Sequence, residues 1–145
     1  MRTAPADTYA SAADLALSLP GDKLAKLEEK QPGVGLAMLR RAAGLVRGRI
    51  GARYPLPLTA WDEDLVGLVC DIAAWFTLVG AGGYKPEAEL REDPYWKRYN
   101  EALATLNTIR AGELELSIGG APAASGDPPE PSTGGAVLSD PLEGW

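Results

Sequence analysis

The apolar residues of this chain recur at helical spacing in three long segments. In the first, residues 34–53, they stand three, four, seven and eleven positions apart: Leu39, Ala42, Ala43, Val46 and Ile50. The third begins at Asp93-Pro94, ends near Gly112, and carries a similar stripe: Tyr99, Ala102, Leu103, Leu106 and Ile109. Such spacing places all members of a stripe on one face of an α-helix. Both segments are therefore predicted to be amphipathic helices.

The middle segment differs because it is apolar on nearly every side. It runs from Thr59 to about Val79, and from residue 65 onward only Asp71 and Thr77 are polar. A helix of this kind is covered on more than one side, so we expect it to be the central helix. Thr59-x-x-Asp62 resembles a capping box at its start, and the acids that follow suit a helix N-terminus.

Two short helices are predicted before the first long one. Ser11 to Asp14 resembles a capping box and opens a helix that Pro20-Gly21 ends. Asp22 can cap a second helix over residues 23–30, and Gln31-Pro32-Gly33 then breaks the chain. Together the segments predict an all-α fold: a small bundle of three long helices plus short N-terminal helices, occupying residues 1–118.

Residues 119–145 are predicted to form an extended C-terminal arm, preceded by a possible short strand over 113–118. Eleven of these 27 residues are Gly or Pro, which is a composition typical of linkers. The far end regains apolar side chains that we expect to dock on another chain: Val137, Leu138, Leu142 and Trp145.

The connection between the first two long helices is "RYPLPL", residues 53–58. Each proline fixes its own φ and pushes the residue before it into the extended region. At a polyproline-like rise the segment spans roughly 12–15 Å, which is enough to cross a helix layer of about 8–10 Å. We interpret it as a stiff strap that sets the spacing of the two helices.

The composition argues against an enzyme. The chain has no histidine, which removes the commonest general base and the commonest metal ligand. Its single cysteine, Cys70, falls in the most apolar helix and is expected to be a buried thiol. Gly80 to Gly83 lack the GK[ST] ending of a phosphate loop. No cofactor or metal is expected, and no apolar run approaches the roughly 18–20 residues of a membrane span.

Charge is unevenly distributed along the chain. The net charge is −6, residues 111–145 hold six acids and no base, and residues 31–60 hold five arginines and no acid. Asp71, on the most apolar helix, needs a partner because an unpaired buried carboxylate is costly. We expect it to pair with Arg53 and so to brace the strap, a structural brace with these members: Arg53, Tyr54, Pro55, Pro57 and Asp71.

The first long helix carries a second pattern besides its buried stripe. Its arginines are Arg40, Arg41, Arg47 and Arg49, and its glycines, with the one that follows the stripe, are Gly44, Gly48 and Gly51. The arginines suit a DNA-facing patch, a partner surface or a solvated helix face. Glycines cost stability inside a helix, so three at this spacing favour close packing against a neighbouring subunit. We assign both sets to a subunit interface.

Several of these segments resemble the Mu-like head–tail connector (adaptor) proteins of the phage neck. The resemblance covers about residues 8–116. It is carried by "YASAADL" (9–15), the segment 43–58 that includes "LVRGRIGARYPLPL", "CDIAAW" (70–75) and "RYNEALATLNTIRAGEL" (98–114). Similar proteins have a polar, Asp/Gly-rich turn before the first long helix, where this chain has "QPGVGL", so contacts carried by that turn do not transfer.

The resemblance implies a non-enzymatic ring of twelve subunits in the virion neck, assembled in the host cytoplasm. The ring would sit below the portal protein, extend the DNA channel without sequence-specific binding, and present a platform for the next neck or tail-completion protein. No membrane partner is implied. Two alternatives stay open on the residues alone: a small helical DNA-binding or regulatory protein that uses the arginine helix, and a peptide-binding or chaperone-like bundle.

Overall fold

The computed structural model describes residues 7–116, and within that range the chain is helical and has no β-strand. The all-α class is therefore confirmed, and residues 113–116 are not part of a strand. Five α-helices follow one another: α1 Ala12–Leu17, α2 Lys23–Lys30, α3 Val34–Ile50, α4 Glu63–Phe76 and α5 Pro94–Arg110. The predicted arm, with Val137, Leu138, Leu142 and Trp145, lies outside the described residues.

The three longer helices α3, α4 and α5 all pack against one another, and α1 rests on α3 and α4. The largest fully buried side chains come from every part of this arrangement: Trp61, Tyr9, Leu15, Leu39, Ile50, Leu65, Ile72, Leu78, Leu106 and Ile109. The hydrophobic stripes predicted for α3 and α5 thus face the core.

An N-terminal segment that the periodicity did not predict closes one side of the core. Tyr9 is buried with φ at +61°, a left-handed conformation that side chains rarely adopt. Its ring meets Trp61 edge-on at 5.0 Å between centroids, and the Trp61 Nε1–H donates to the Tyr9 carbonyl at 2.9 Å. The buried indole N–H is satisfied by this bond, so the segment is fixed to the start of α4.

Side-chain caps are found at three of the predicted helix starts, and two predictions are corrected. Asp22 is the N-cap residue of α2, but its side chain makes no capping hydrogen bond. Ser11 and Asp14 form the capping box of α1, and Asp93 caps α5 just before Pro94. The cap of α4 is Asp62, whose side chain accepts from the Leu65 N–H at 3.2 Å. Thr59 is therefore not the cap residue, because the strap continues to Trp61 before the helix begins.

The start of α3 is capped by a side chain from α2. Its N-cap residue is Gly33, at φ +88°, which has no side chain to offer. Glu28 supplies the acceptors instead: its carboxylate accepts from the N–H groups of Gly33 and Gly35, both at 2.8 Å. A Cβ at Gly35 would stand 2.9 Å from the Glu28 carboxylate. Glycine at position 35 thus leaves room for the borrowed cap.

The helix α4 continues without a break into a π-helical turn, Thr77–Ala81. Together the two segments make Glu63–Ala81 long and apolar enough to cross a bilayer, whereas the sequence was expected to contain no apolar run of this length. Half of its most apolar 18-residue stretch is buried inside the fold. The core helix of a helical bundle meets the same criterion, and α4 packs against both α3 and α5.

The connection from α4 to α5 is held down by one buried carboxylate, Asp93. Its Oδ2 accepts from the Tyr84 hydroxyl at 2.7 Å and from the Glu87 N–H at 3.0 Å, while Oδ1 accepts from the N–H groups of Tyr95 and Trp96. Burial alone would raise the pKa of Asp93, but these four hydrogen bonds outweigh it and lower the pKa. The bond to Asp93 raises the pKa of Tyr84 to about 12.

Candidate subunit-contact surfaces

The strap between α3 and α4 is anchored at both ends and exposed in its middle. Pro55 and Pro57 are exposed, and the peptide bond between Leu56 and Pro57 is cis. Leu58 is buried in the core, only 3% exposed. The two prolines thus face solvent, while the strap is fastened by its apolar end.

The other end of the strap is tied to the end of α5. The Arg53 guanidinium lies 3.9 Å from the Glu115 carboxylate and passes so close to Gly112 that a Cβ there would overlap it. The Tyr54 hydroxyl accepts from the Leu116 N–H at 2.9 Å. A cation at a helix C-terminus is favourable because it faces the negative end of the helix dipole. Arg53 and Tyr54 therefore hold the end of α3 to the end of α5.

The expected pairing of Arg53 with Asp71 is not formed. Within residues 7–116 no hydrogen bond or ion pair joins Asp71 to another residue, and Arg98 and Glu101 of α5 are the charges that act on it. Asp71 lies nine positions beyond the α4 cap, or about 13 Å along the helix, too far to reach the strap. Partial burial raises the pKa of the Asp71 carboxyl; Arg98 opposes this rise and Glu101 adds to it.

Two α3 arginines contact the N-terminal segment of their own chain. Arg40 lies 3.5 Å from the Asp7 carboxylate, and Arg47 donates to the Asp7 carbonyl at 2.8 Å. The Arg47 guanidinium also lies 5.9 Å from the centroid of the Tyr9 ring. Burial raises the pKa of the Tyr9 hydroxyl, and Arg47 opposes that rise. Both contacts of Asp7 are at the surface, where ion pairs contribute little stability.

The remaining two α3 arginines lie toward α4 and α5. The Arg41 guanidinium is 4.7 Å from the centroid of the Phe76 ring, a cation–π distance. Arg49 donates to the Asn107 side-chain oxygen at 2.8 Å. Each of the four predicted interface arginines thus has a contact inside its own subunit, although the Arg40 and Arg41 side chains are still exposed.

The three glycines predicted for the subunit interface separate into two kinds. A Cβ at Gly48 would have nothing within 4 Å, and one at Gly44 would meet only the Arg47 side chain at 3.9 Å. A Cβ at Gly51 would stand 2.9 Å from the Arg47 carbonyl and 3.3 Å from Leu56. Gly51 therefore serves the turn into the strap, whereas Gly44 and Gly48 leave an open surface.

A second open surface, not predicted from the sequence, lies on α4 beside α5. Leu68, Asp71 and Trp75 follow one another at helical spacing and are all partly exposed. Trp75 stacks on Tyr99 of α5 at 5.9 Å between centroids. The apolar run around these residues indicated burial on all sides, and only the break in it at Asp71 could have indicated an open side.

No group of three or more metal-ligating side chains occurs among residues 7–116. Cys70 is buried. Gly80 to Gly83 follow the end of the α4 helical run and do not open a helix, which is where a phosphate-binding loop must stand.

A comparison with protein families gives a match that covers most of the chain. The family described as Bacteriophage Mu, Gp36 matches residues 9–136. The chain belongs to this phage family. Membership supports a structural or morphogenetic role in a bacteriophage, without enzymatic activity. The matched range includes the strap, all three long helices and the first part of the region beyond residue 116.

The chain is also similar to part of a bacterial protein. It is 31% identical over 90 residues to the small ribosomal subunit biogenesis GTPase RsgA of Xanthomonas oryzae pv. oryzae, in strains PXO99A and MAFF 311018. The similarity covers 56% of this chain but 25% of the GTPase, so the chain corresponds to about a quarter of that protein. No solved structure matches the chain.

Proposed function

We propose that the protein is the head–tail adaptor of a tailed bacteriophage. Copies of the chain form a ring, of twelve subunits, beneath the portal protein; the ring extends the DNA channel and receives the next neck or tail-completion protein. The protein would therefore reside in the virion neck after assembly in the host cytoplasm. The observation that carries this proposal is the family match over residues 9–136.

The described helices suit a structural subunit that must keep a fixed shape. The ends of α3 and α5 are tied together through Arg53 and Tyr54, and the α4–α5 connection is tied down by Asp93. A ring tolerates little variation in the angle of each subunit, because errors add up around it. These contacts between distant parts of the subunit support the interpretation of the chain as a rigid ring subunit.

Co-sedimentation with capsids tests this proposal. Purified chain is mixed with capsids that contain the portal protein and, as control, with capsids assembled without it. We expect the protein to sediment only with the portal-bearing capsids. Equal recovery in both samples, or in neither, would show that the protein is not an adaptor of the portal.

A DNA-binding regulator remains the second candidate because α3 carries four arginines and no acid. Each of these arginines contacts its own chain, and a channel through which DNA slides does not need a strong grip. The adaptor is therefore expected to bind duplex DNA only weakly and with a steep dependence on salt. Tight, sequence-selective binding at physiological salt would favour the regulator. GTP hydrolysis is not proposed, since the similarity to the GTPase covers a quarter of that enzyme.

A further inference from the structure

The helices α3 and α4 carry charges of opposite sign. All four charged residues of α3 are arginines. In α4 the charged residues are Glu63, Asp64 and Asp71, and no base occurs between Arg53 and Lys85. Each of these two helices therefore carries charges of one sign only. Glu63 and Asp64 suit the positive end of α4, and Arg47 and Arg49 suit the negative end of α3. Arg40, Arg41 and Asp71 lie in helix interiors, where the helix dipole does not account for them.

Each charged helix presents an open stripe on the side opposite its buried residues. On α3 this stripe, called the α3 stripe below, consists of exposed residues at helical spacing: Ala37, Arg41, Gly44 and Gly48. At Gly44 and Gly48 the backbone is nearly bare, because a Cβ would meet no backbone and almost no side chain within 4 Å. Another helix could approach here to the short end of the usual interaxial range, about 8 Å.

The α4 stripe is acidic and apolar. It consists of Asp64, Leu68, Asp71 and Trp75, spaced four, seven and eleven positions apart and all at least partly exposed. Gly67 lies beside it and is equally open. In the described part of the chain Asp71 has no hydrogen-bond or ion-pair partner. A half-buried carboxylate beside a tryptophan is a place where an arginine from outside gains both a charge partner and an aromatic face.

The two stripes lie beside different neighbouring helices. Arg41 of the α3 stripe lies over Phe76 at the end of α4, whereas the α4 stripe runs beside α5, where Trp75 stacks on Tyr99. Two complementary surfaces on different sides of one chain join successive copies head to tail. Contacts of this heterologous kind close into rings when the rotation between copies allows it.

We propose that the α3 stripe of one copy packs against the α4 stripe of the next copy, and that this contact builds the ring. Arg41 faces the carboxylates of the α4 stripe, and the bare backbone at Gly44 and Gly48 receives Leu68 and Trp75. The occupant is a second copy of the chain, since the charge of Arg41 on the α3 stripe is complementary to that of Asp64 and Asp71 on the α4 stripe. The inference deepens the proposed adaptor function and rests on it.

A disulfide ladder tests the contact directly. Cysteine is placed at two open glycines, Gly48→Cys on the α3 stripe and Gly67→Cys beside the α4 stripe, where added side chains meet no neighbour within 4 Å. In a head-to-tail contact, mild oxidation links many copies, and a non-reducing gel shows a ladder. Each single variant can give dimers at most, and native Cys70 does not compete because it is buried. As the matched control, Ala25→Cys with Gly67→Cys places one cysteine on exposed α2 surface and should give no ladder.

A bulky side chain at the same glycine separates assembly from folding. Gly48→Leu should raise the melting temperature, because leucine favours a helix more than glycine does, yet reduce co-sedimentation with portal-bearing capsids at least tenfold. Ala25→Leu, an equal addition on α2, should co-sediment like the wild type. Normal assembly of the folded Gly48→Leu protein would overturn the inference.

The outcomes distinguish this inference from the adaptor proposal. If the wild type co-sediments but the variant with Gly48→Cys and Gly67→Cys gives no ladder on the capsid, the adaptor proposal stands and the stripe contact is wrong. If the wild type does not co-sediment, the adaptor proposal is wrong; a ladder from concentrated protein alone would then still support the contact, and its absence would overturn the contact as well.

Discussion

At the scale of single residues, Asp93 is the most consequential side chain of the described fold. It caps α5 and holds Tyr84 and the Glu87 backbone, and it is fully buried. Asp93→Ala would remove the cap and leave buried donors without an acceptor, so we expect a loss of about 2–4 kcal/mol in the free energy of unfolding. Urea denaturation measures this loss. Glu89→Ala, an exposed acid in the same connection, is the control and should change stability little.

The lowered pKa of Asp93 predicts how this contribution depends on pH. Its folded-state pKa lies below the ordinary value of 3.8, so the stabilisation is fully present above that value and is lost as the pH falls through the folded pKa. The difference in melting temperature between wild type and Asp93→Asn should therefore be constant near neutral pH and shrink below about pH 4. A difference that stays constant down to pH 2 would contradict the proposed role of the charge.

The contribution of Asp71 to stability should depend on pH in the opposite direction. Burial raises its pKa above 3.8, so the folded subunit bears a penalty for the charged form that is complete above the raised pKa and absent below 3.8. Asp71→Asn should accordingly melt slightly higher than wild type at neutral pH, and the two should converge under acid. Thermal melts across this range provide the measurement. A large loss of stability in Asp71→Asn would show that the carboxylate has a partner that braces the subunit after all.

At the scale of the elements, the sequence predicted every α-helix of residues 7–116 but not the contacts that hold these helices together. Periodicity and caps are local signals, so the positions of α1 to α5 followed from Ser11, Asp93 and the hydrophobic stripes. The cap of α3 depends on Glu28 from another helix, and the position of Asp71 depends on which side of α4 meets α5. Contacts between distant residues leave no periodic trace, which is why Arg53 was assigned to Asp71 when it lies at the end of α5.

The borrowed cap of α3 gives a prediction at this scale. Glu28 binds two N–H groups at the positive end of the α3 dipole, so Glu28→Ala should lower the free energy of unfolding by about 1–2 kcal/mol. Glu28→Gln keeps an acceptor but loses the charge, so its free energy of unfolding should lie between those of the wild type and Glu28→Ala. The neighbouring acid Glu29, which is exposed, supplies the control variant Glu29→Ala. Equal effects of Glu28→Ala and Glu29→Ala in urea denaturation would mean that the cap contributes nothing.

At the scale of the whole molecule, the balance of charge changes along the chain. The described body carries 13 bases and 16 acids, and residues 117–145 add four acids and no base. The acidic excess of the full chain is thus partly concentrated beyond the helices, in a region whose apolar end is predicted from the sequence to dock on another chain. The family match extends to residue 136, so it includes part of this region but not its apolar end.

Two truncations separate the roles of the body and of this region. Deleting residues 120–145 leaves the last described contact, between Tyr54 and Leu116, in place, so the helices should melt at the wild-type temperature. We expect this chain to lose co-sedimentation with portal-bearing capsids, because it lacks the apolar side chains proposed to fill pockets on a partner.

Deleting only residues 137–145 removes all four of those side chains and keeps the family-matched range. If docking depends on burial of the apolar side chains, the short deletion should reduce co-sedimentation as much as the long one. If docking depends on Asp127 and Glu130, the short deletion should co-sediment like the wild type. Normal assembly by the longer truncation would remove any docking role for the region.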